Sequence, residues 1–148
     1  MLTIDPKSEK ISLVHKYILG AVAPRPIAFA STIDKAGNLN LSPFSFFNAF
    51  SANPPILIFS PARRVRGNTI KHTLDNVIET SEVVIGIVTA EMIGQVSLSS
   101  CDFEQGVNEF EKVGFNAVKA DLVKPFLIKE SPVNFECKVN KVIALGEE

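Results

Sequence analysis

Residues 26–33 read Pro26-Ile27-Ala28-Phe29-Ala30-Ser31-Thr32-Ile33, and the next five are Asp34-Lys35-Ala36-Gly37-Asn38. The first segment has the two-residue period of a strand. It sets Ile27, Phe29 and Ser31 on one face and Ala28, Ala30 and Thr32 on the other, so one side carries only small residues. The second segment is a turn in which Gly37 supplies a positive φ, and Leu39 to Phe47 then returns as a second strand. A strand returning through a tight turn pairs antiparallel with its predecessor.

The same logic extends outward. Asn53-Pro54-Pro55 closes a loop, and Ile56-Leu57-Ile58-Phe59-Ser60 is a short apolar run that predicts a strand buried on both faces. From Thr69 to Glu82, Ile70, Leu74, Val77 and Ile78 recur at helical spacing, with Asn68 or Thr69 as cap. Val83 to Thr89 reads as a strand, Ala90 to Ser99 as a second helix, and Asn108 to Val113 as a third closed by Gly114. Phe135, Cys137 and Val139 alternate with polar residues, which predicts a half-exposed strand running towards Leu145. Short strands with helices inserted late favour a closed antiparallel sheet over a βαβ layer. The expected class is mainly β, a β-barrel with added helices, with residues 1–148 forming a single domain.

Composition narrows the function. The 148 residues are 46% hydrophobic and 21% charged, with mean hydropathy +0.21, a greasy balance that predicts a covered apolar surface and hence a homo-oligomer. A net charge of -1 and a pI near 6.1 provide no basic field for nucleic acid. No apolar run approaches the roughly 18 residues of a membrane span, and the first residues do not form a secretory leader, so a cytoplasmic protein is expected. Cys101 and Cys137 lack partners at metal-like spacing and are expected as free thiols. His15 and His72 likewise have no ligand partner nearby, and no metal site is expected. No nucleophile elbow marks a hydrolase. Asp102, Glu104, Glu109 and Glu111 read as a helix face with its preceding loop.

Two stretches hold chemistry. Leu41 to Pro55 mixes Phe44, Phe46, Phe47 and Phe50 with Ser45, Asn48 and Ser51. A flat heterocycle needs apolar faces and a few donors and acceptors along its edge. The same phenylalanines serve equally as core or dimer contacts, with the polar residues making turns. Ser60 to Thr73 collects Arg63, Arg64, Arg66 and Lys71 just before and at a helix start, where the macrodipole favours an anion such as phosphate; a solvated basic loop is the alternative. Neither a Walker A loop nor a Gly-x-Gly-x-x-Gly fingerprint occurs there.

Several ordered blocks resemble the flavin reductase-like family, the group of nitrilotriacetate monooxygenase component B and the flavoredoxins. They are Arg25-Pro26-Ile27-Ala28-Phe29-Ala30-Ser31-Thr32, Asn40 to Asn48, Asn53-Pro54-Pro55, Gly106 to Glu111 and Glu130 to Cys137. Lys71-His72-Thr73-Leu74-Asp75-Asn76 resembles that family's Lys-Asp-Thr-x-x-Asn helix start, with His72 where Asp is usual. The resemblance runs from about residue 20 to the end.

It implies an FMN-binding split barrel of Greek-key topology, dimeric, with FMN at or near the subunit interface. Carried over by position, Ser45, Phe46, Asn48, Ala49 and Ser51 would line the isoalloxazine and ribityl chain, and Ser31 and Thr32 would add polar contacts. Arg63, Arg66, Lys71 and Thr73 would reach the phosphate. Family members continue past Leu145-Gly146 into a returning strand, so a chain cut short at its C-terminus is expected. The implied function is NAD(P)H-dependent reduction of FMN, with NADH or NADPH as hydride donor and a separate monooxygenase component as recipient of the reduced flavin. No protein nucleophile is required, because the cofactor carries the chemistry. The alternative is a flavoredoxin-like electron-transfer protein that binds FMN without nicotinamide turnover.

Overall fold

The computed structural model describes residues 3–61, 71–104 and 106–145. Helix α1 (Ile11–Ala21) precedes strands β1 (Ala28–Ile33), β2 (Leu39–Phe44), β3 (Phe47–Ala52) and β4 (Pro55–Phe59). Helix α2 (His72–Thr80), strand β5 (Glu82–Ile87), helices α3 (Ile93–Leu98) and α4 (Glu109–Val113), and strands β6 (Ala117–Val118), β7 (Leu127–Ile128) and β8 (Asn134–Lys138) follow. Among the described residues every strand pairing is antiparallel. The largest sheet has the order β2-β1-β5-β8, and β3-β4 and β6-β7 form two smaller ones.

Strand β1 organises the core because it is buried on both faces. Phe29 enters a cluster with Leu41, Phe110, Phe115 and Ile128, its ring meeting Phe115 edge-on at 5.2 Å between centroids. Ala28 and Ala30 point the other way, into a cluster with Phe44, Val77, Val83 and Ile85. The small residues on that face admit α2, which contributes Val77. Two hydrogen bonds lock α2 to the sheet. Asn40 Nδ2 donates to Thr73 Oγ1 (2.9 Å), and Asn76 Nδ2 donates to Thr32 Oγ1 (3.1 Å). Since Thr32 and Asn40 stand opposite each other in the β1-β2 register, the helix is pinned across both strands at one level.

The turn at residues 34–38 forms as read. Gly37 has φ 93°, and Asn38 donates from its backbone and side chain to the Asp34 carboxylate, each at 2.8 Å. Gly114 closes α4 with φ 78°, a conformation that costs glycine nothing. Elsewhere the structure differs from the reading. The second strand stops at Phe44 and the chain turns a corner at Ser45-Phe46, so residues 47–52 form β3 instead of a loop. Strand β4 is not buried on both faces: Phe59 and Leu57 pack on the second cluster, whereas Ile56 and Ile58 are 37% and 51% exposed, because the hairpin covers the core with one side only. The helix at 90–99 is a 3₁₀ turn (Ala90–Met92) followed by the short α3, the last strand ends at Lys138, and α1 lies in a segment whose pattern was not read as a helix. The caps expected at Asn68 and Thr69 lie outside the described residues. Among the described residues, no helix is long and apolar enough to cross a membrane.

Candidate functional site

The corner between β2 and β3 gathers most of the expected site residues. Ser45 and Phe46 form the bend, and the Ser60 amide donates to the Phe46 carbonyl (2.9 Å), so the hairpin closes directly behind it. Along β3, Asn48 and Ala49 are exposed. The β3-β4 register then shifts between Ala49 and Ser51, leaving Phe50 as the extra residue of a bulge, 64% exposed. Ile58 stands opposite Asn48 and Ile56 opposite Ser51. The hairpin therefore turns a mixed surface outward, with apolar Phe50, Ile56 and Ile58 beside polar Asn48 and Ser51. The polar side chains are held locally. Asn48 Oδ1 accepts from the Ala49 amide (2.8 Å) and Ser51 Oγ from the Asn53 amide (3.3 Å). That leaves the Asn48 amide nitrogen's two protons for a ligand edge.

Lys71 sits at the start of α2 with Nζ 5.0 Å from the Phe44 ring centroid, a cation over an aromatic face at the end of β2. The positive end of the α2 dipole lies in the same place. Two shallow polar hollows flank this helix start. One, about 20 Å³, lies between Ser42, Lys71, Cys101 and Asp102, and the other, about 30 Å³, lies between Asp34, Asn38, His72 and Asp75. Each admits about one water, not a ring system.

The remaining expected residues are placed differently. Ser31, Thr32 and Thr73 are fully buried. Thr32 and Thr73 accept the two hydrogen bonds that pin α2, and Ser31 Oγ finds no hydrogen-bond partner among the described residues. These three side chains are enclosed by the sheet and its helix, and the register sets Thr32 opposite Asn40, four residues along β2 from Phe44 at the corner. Arg63 and Arg66 lie outside the described residues.

Two contacts were not foreseen. The Arg25 guanidinium donates through Nε to Ser45 Oγ (3.4 Å), and the His15 ring meets Phe46 edge-on at 6.2 Å. Arg25 opens a sequence block that resembles the family, so a signal existed; nothing in the spacing of His15 marks it. Both cysteines are free thiols. Cys137 packs against the second cluster, and burial raises its pKa, whereas Cys101 is exposed.

The class that this fold and site define is an antiparallel β domain with an open corner, where exposed apolar Phe50, Ile56 and Ile58 adjoin polar Asn48 and Ser51. The chain belongs to the flavin reductase-like family: the model of the flavin reductase like domain matches residues 20–148. An uncharacterized protein of Aquifex aeolicus is 43% identical over 130 residues, covering 88% of this chain and 66% of that protein. The chain thus spans about two thirds of the length of the curated relatives it matches. Among solved structures, nitrilotriacetate monooxygenase component B from Bacillus cereus superposes with a TM-score of 0.93 at 29% identity, over 100% of this chain and 72% of the other. The 2-nitrobenzoate 2-nitroreductase of Pseudomonas fluorescens superposes with a TM-score of 0.85 at 27% identity, over 99% and 69%. The fold is accordingly that of the flavin reductase split barrels.

Proposed function

We propose that this chain is the flavin-binding part of an NAD(P)H-dependent flavin reductase, holding FMN against the β2-β3 corner. The observation that carries the reading is the bulged β3-β4 hairpin, which leaves Phe50 and Ile58 open to solvent directly beside Asn48 and Ser51. Family membership supports flavin as the ligand, and the residues fit it. The exposed apolar side chains suit a ring face, the Asn48 amide protons suit a ring-edge carbonyl, and Lys71 at the α2 start suits a phosphate.

In this reading Ser45, Phe46, Asn48, Ala49 and Ser51 bind and orient the ring and ribityl chain. Lys71 neutralises the phosphate, together with Arg63 and Arg66. Thr32 and Thr73, fully buried, contribute indirectly by fixing α2 and hence Lys71, and Ser31 contributes only as part of the buried strand β1. The bound flavin supplies hydride acceptance from NADH or NADPH, so the chain's own residues need only bind, orient and exclude water. Exclusion of water at so open a corner requires a cover. A second copy of the chain is the natural one, because a two-fold dimer buries one exposed apolar hairpin patch against another. The protein is a cytoplasmic homodimer in this account, and its reduced flavin serves a separate monooxygenase component, a reading supported by the likeness to a Bacillus cereus protein named as component B of a monooxygenase.

The test is an anaerobic absorbance spectrum of the protein with FMN, followed by NADH and then NADPH. Bleaching of a bound flavin band by either nucleotide is the expected result. A band that only dithionite bleaches replaces the reductase with an electron carrier, and the absence of a bound band refutes the flavin site.

A further inference from the structure

Helix α1 is tied to the site instead of the core. Each of its residues retains appreciable exposure, with Ile11 and Ile18 75% and 46% open, so apolar burial anchors it weakly. What holds its end is Arg25. The guanidinium donates through Nη1 to the Leu19 carbonyl (2.6 Å) and to the Val22 carbonyl. These carbonyls lie at the C-terminus of α1, where acceptors lack intrahelical partners and the dipole is negative, and the last turn of α1 has no basic residue of its own. The same planar fork presents Nε to Ser45 Oγ.

A guanidinium donates and never accepts. Ser45 Oγ must therefore accept from Arg25, and the Ser45 proton is left for an acceptor elsewhere. One side chain closes the end of α1 and sets the polarity of a hydroxyl on the corner. His15, within α1, adds a second contact, to the neighbouring Phe46.

The geometry points to Arg25 as a positioning residue that couples the order of α1 to flavin binding. It holds the corner in shape and keeps the Ser45 hydroxyl a donor to the ligand. This rests on the flavin site proposed above. Coupling between two sites is reciprocal, so a ligand on the corner must tighten α1 just as α1 favours the ligand.

The experiment measures FMN affinity and amide hydrogen exchange over residues 11–22, with and without FMN, on the full chain and on R25A, R25K and S45A. In the unmodified chain FMN slows exchange in α1. R25A lowers FMN affinity about tenfold, the worth of the Ser45 hydrogen bond that Arg25 no longer orients, and removes the FMN-dependent slowing. R25K keeps a cation at the helix end without the fork. Its α1 exchanges as in the parent when FMN is absent but no longer responds to FMN. S45A loses a comparable factor in affinity, and R25A combined with S45A is no worse than either alone, as expected of two partners in one link. FMN binding with no response in α1, or parental affinity in R25A, overturns the inference and leaves the flavin site standing. No FMN binding by the parent chain overturns both.

Discussion

Strand β1 and the β3-β4 hairpin are both short and apolar, yet they occupy opposite conditions. Ala28, Phe29, Ala30, Ser31 and Thr32 are sealed on both faces, each side feeding a separate cluster, and α2 is bolted across them. The hairpin has the same greasy composition but lends only Phe47, Leu57 and Phe59 to the core, and it turns Phe50, Ile56 and Ile58 outward. Stability is concentrated in the first region. The second carries apolar surface that the fold does not use, and its polar neighbours are the ones assigned to the ligand in the proposed function. Side chains in β1 should thus govern stability and those on the outer hairpin should govern binding.

The largest expected effect is on β1. Phe29→Ala removes a fully buried ring from the first cluster and should cost about 3–5 kcal/mol in denaturant unfolding, a large part of a domain's total stability. A loss below about 1 kcal/mol would mean the two clusters do not depend on this strand. Next comes Gly86→Ala on β5. A Cβ there would lie 2.6 Å from Ile128 Cδ1 and 3.1 Å from Ser131 Oγ, so overpacking of about 1–3 kcal/mol is expected. Asn76→Ala strips the donor from buried Thr32 Oγ1 and should cost about 1–3 kcal/mol. It tests whether α2 is bolted to the sheet as described, and an unchanged melting temperature would deny it.

Thiol chemistry sharpens the contrast by a different probe. Cys137, packed on the second cluster with its pKa raised by burial, is less thiolate at a given pH than an unperturbed cysteine, and it should be alkylated by iodoacetamide well after exposed Cys101. Mass spectrometry of partially labelled protein reads the order, and equal rates would place Cys137 outside the core. The smallest effect belongs to the surface turn. The Asn38 side chain, followed by backbone amides of the turn, lowers the Asp34 pKa below 3.8. Its contribution to stability is present above that value and lost as pH falls through the folded pKa. Asp34→Asn should therefore flatten the acid limb of the melting curve slightly and leave neutral pH almost unchanged.

How much of this was legible in the sequence follows the same division. The alternation of β1, the Gly37 turn and the Gly114 stop were readable because local sterics alone decide them. The bulge at Phe50 was not, since Phe46-Phe47-Asn48-Ala49-Phe50 has no clean period and its conformation is set by pairing with β4. The apolar run in β4 misled for a related reason: composition reports hydrophobicity, not which partner covers it. Helix α1 was missed because its apolar residues enter neither cluster. For the site, the resemblance placed Ser45 to Ser51 together, but it could not separate side chains that face out from Ser31, Thr32 and Thr73, which a doubly buried strand and its helix enclose.

In the proposed function, ligand binding resides on the open hairpin and stability does not. The most direct test is an FMN titration by flavin fluorescence on Asn48→Ala and Phe50→Ala beside their thermal melts. Unfolding free energies within about 0.5 kcal/mol of the parent are expected for these exposed residues. FMN affinity should fall by about tenfold or more in each, the loss of one good ligand contact. Parental affinity in both variants would contradict it.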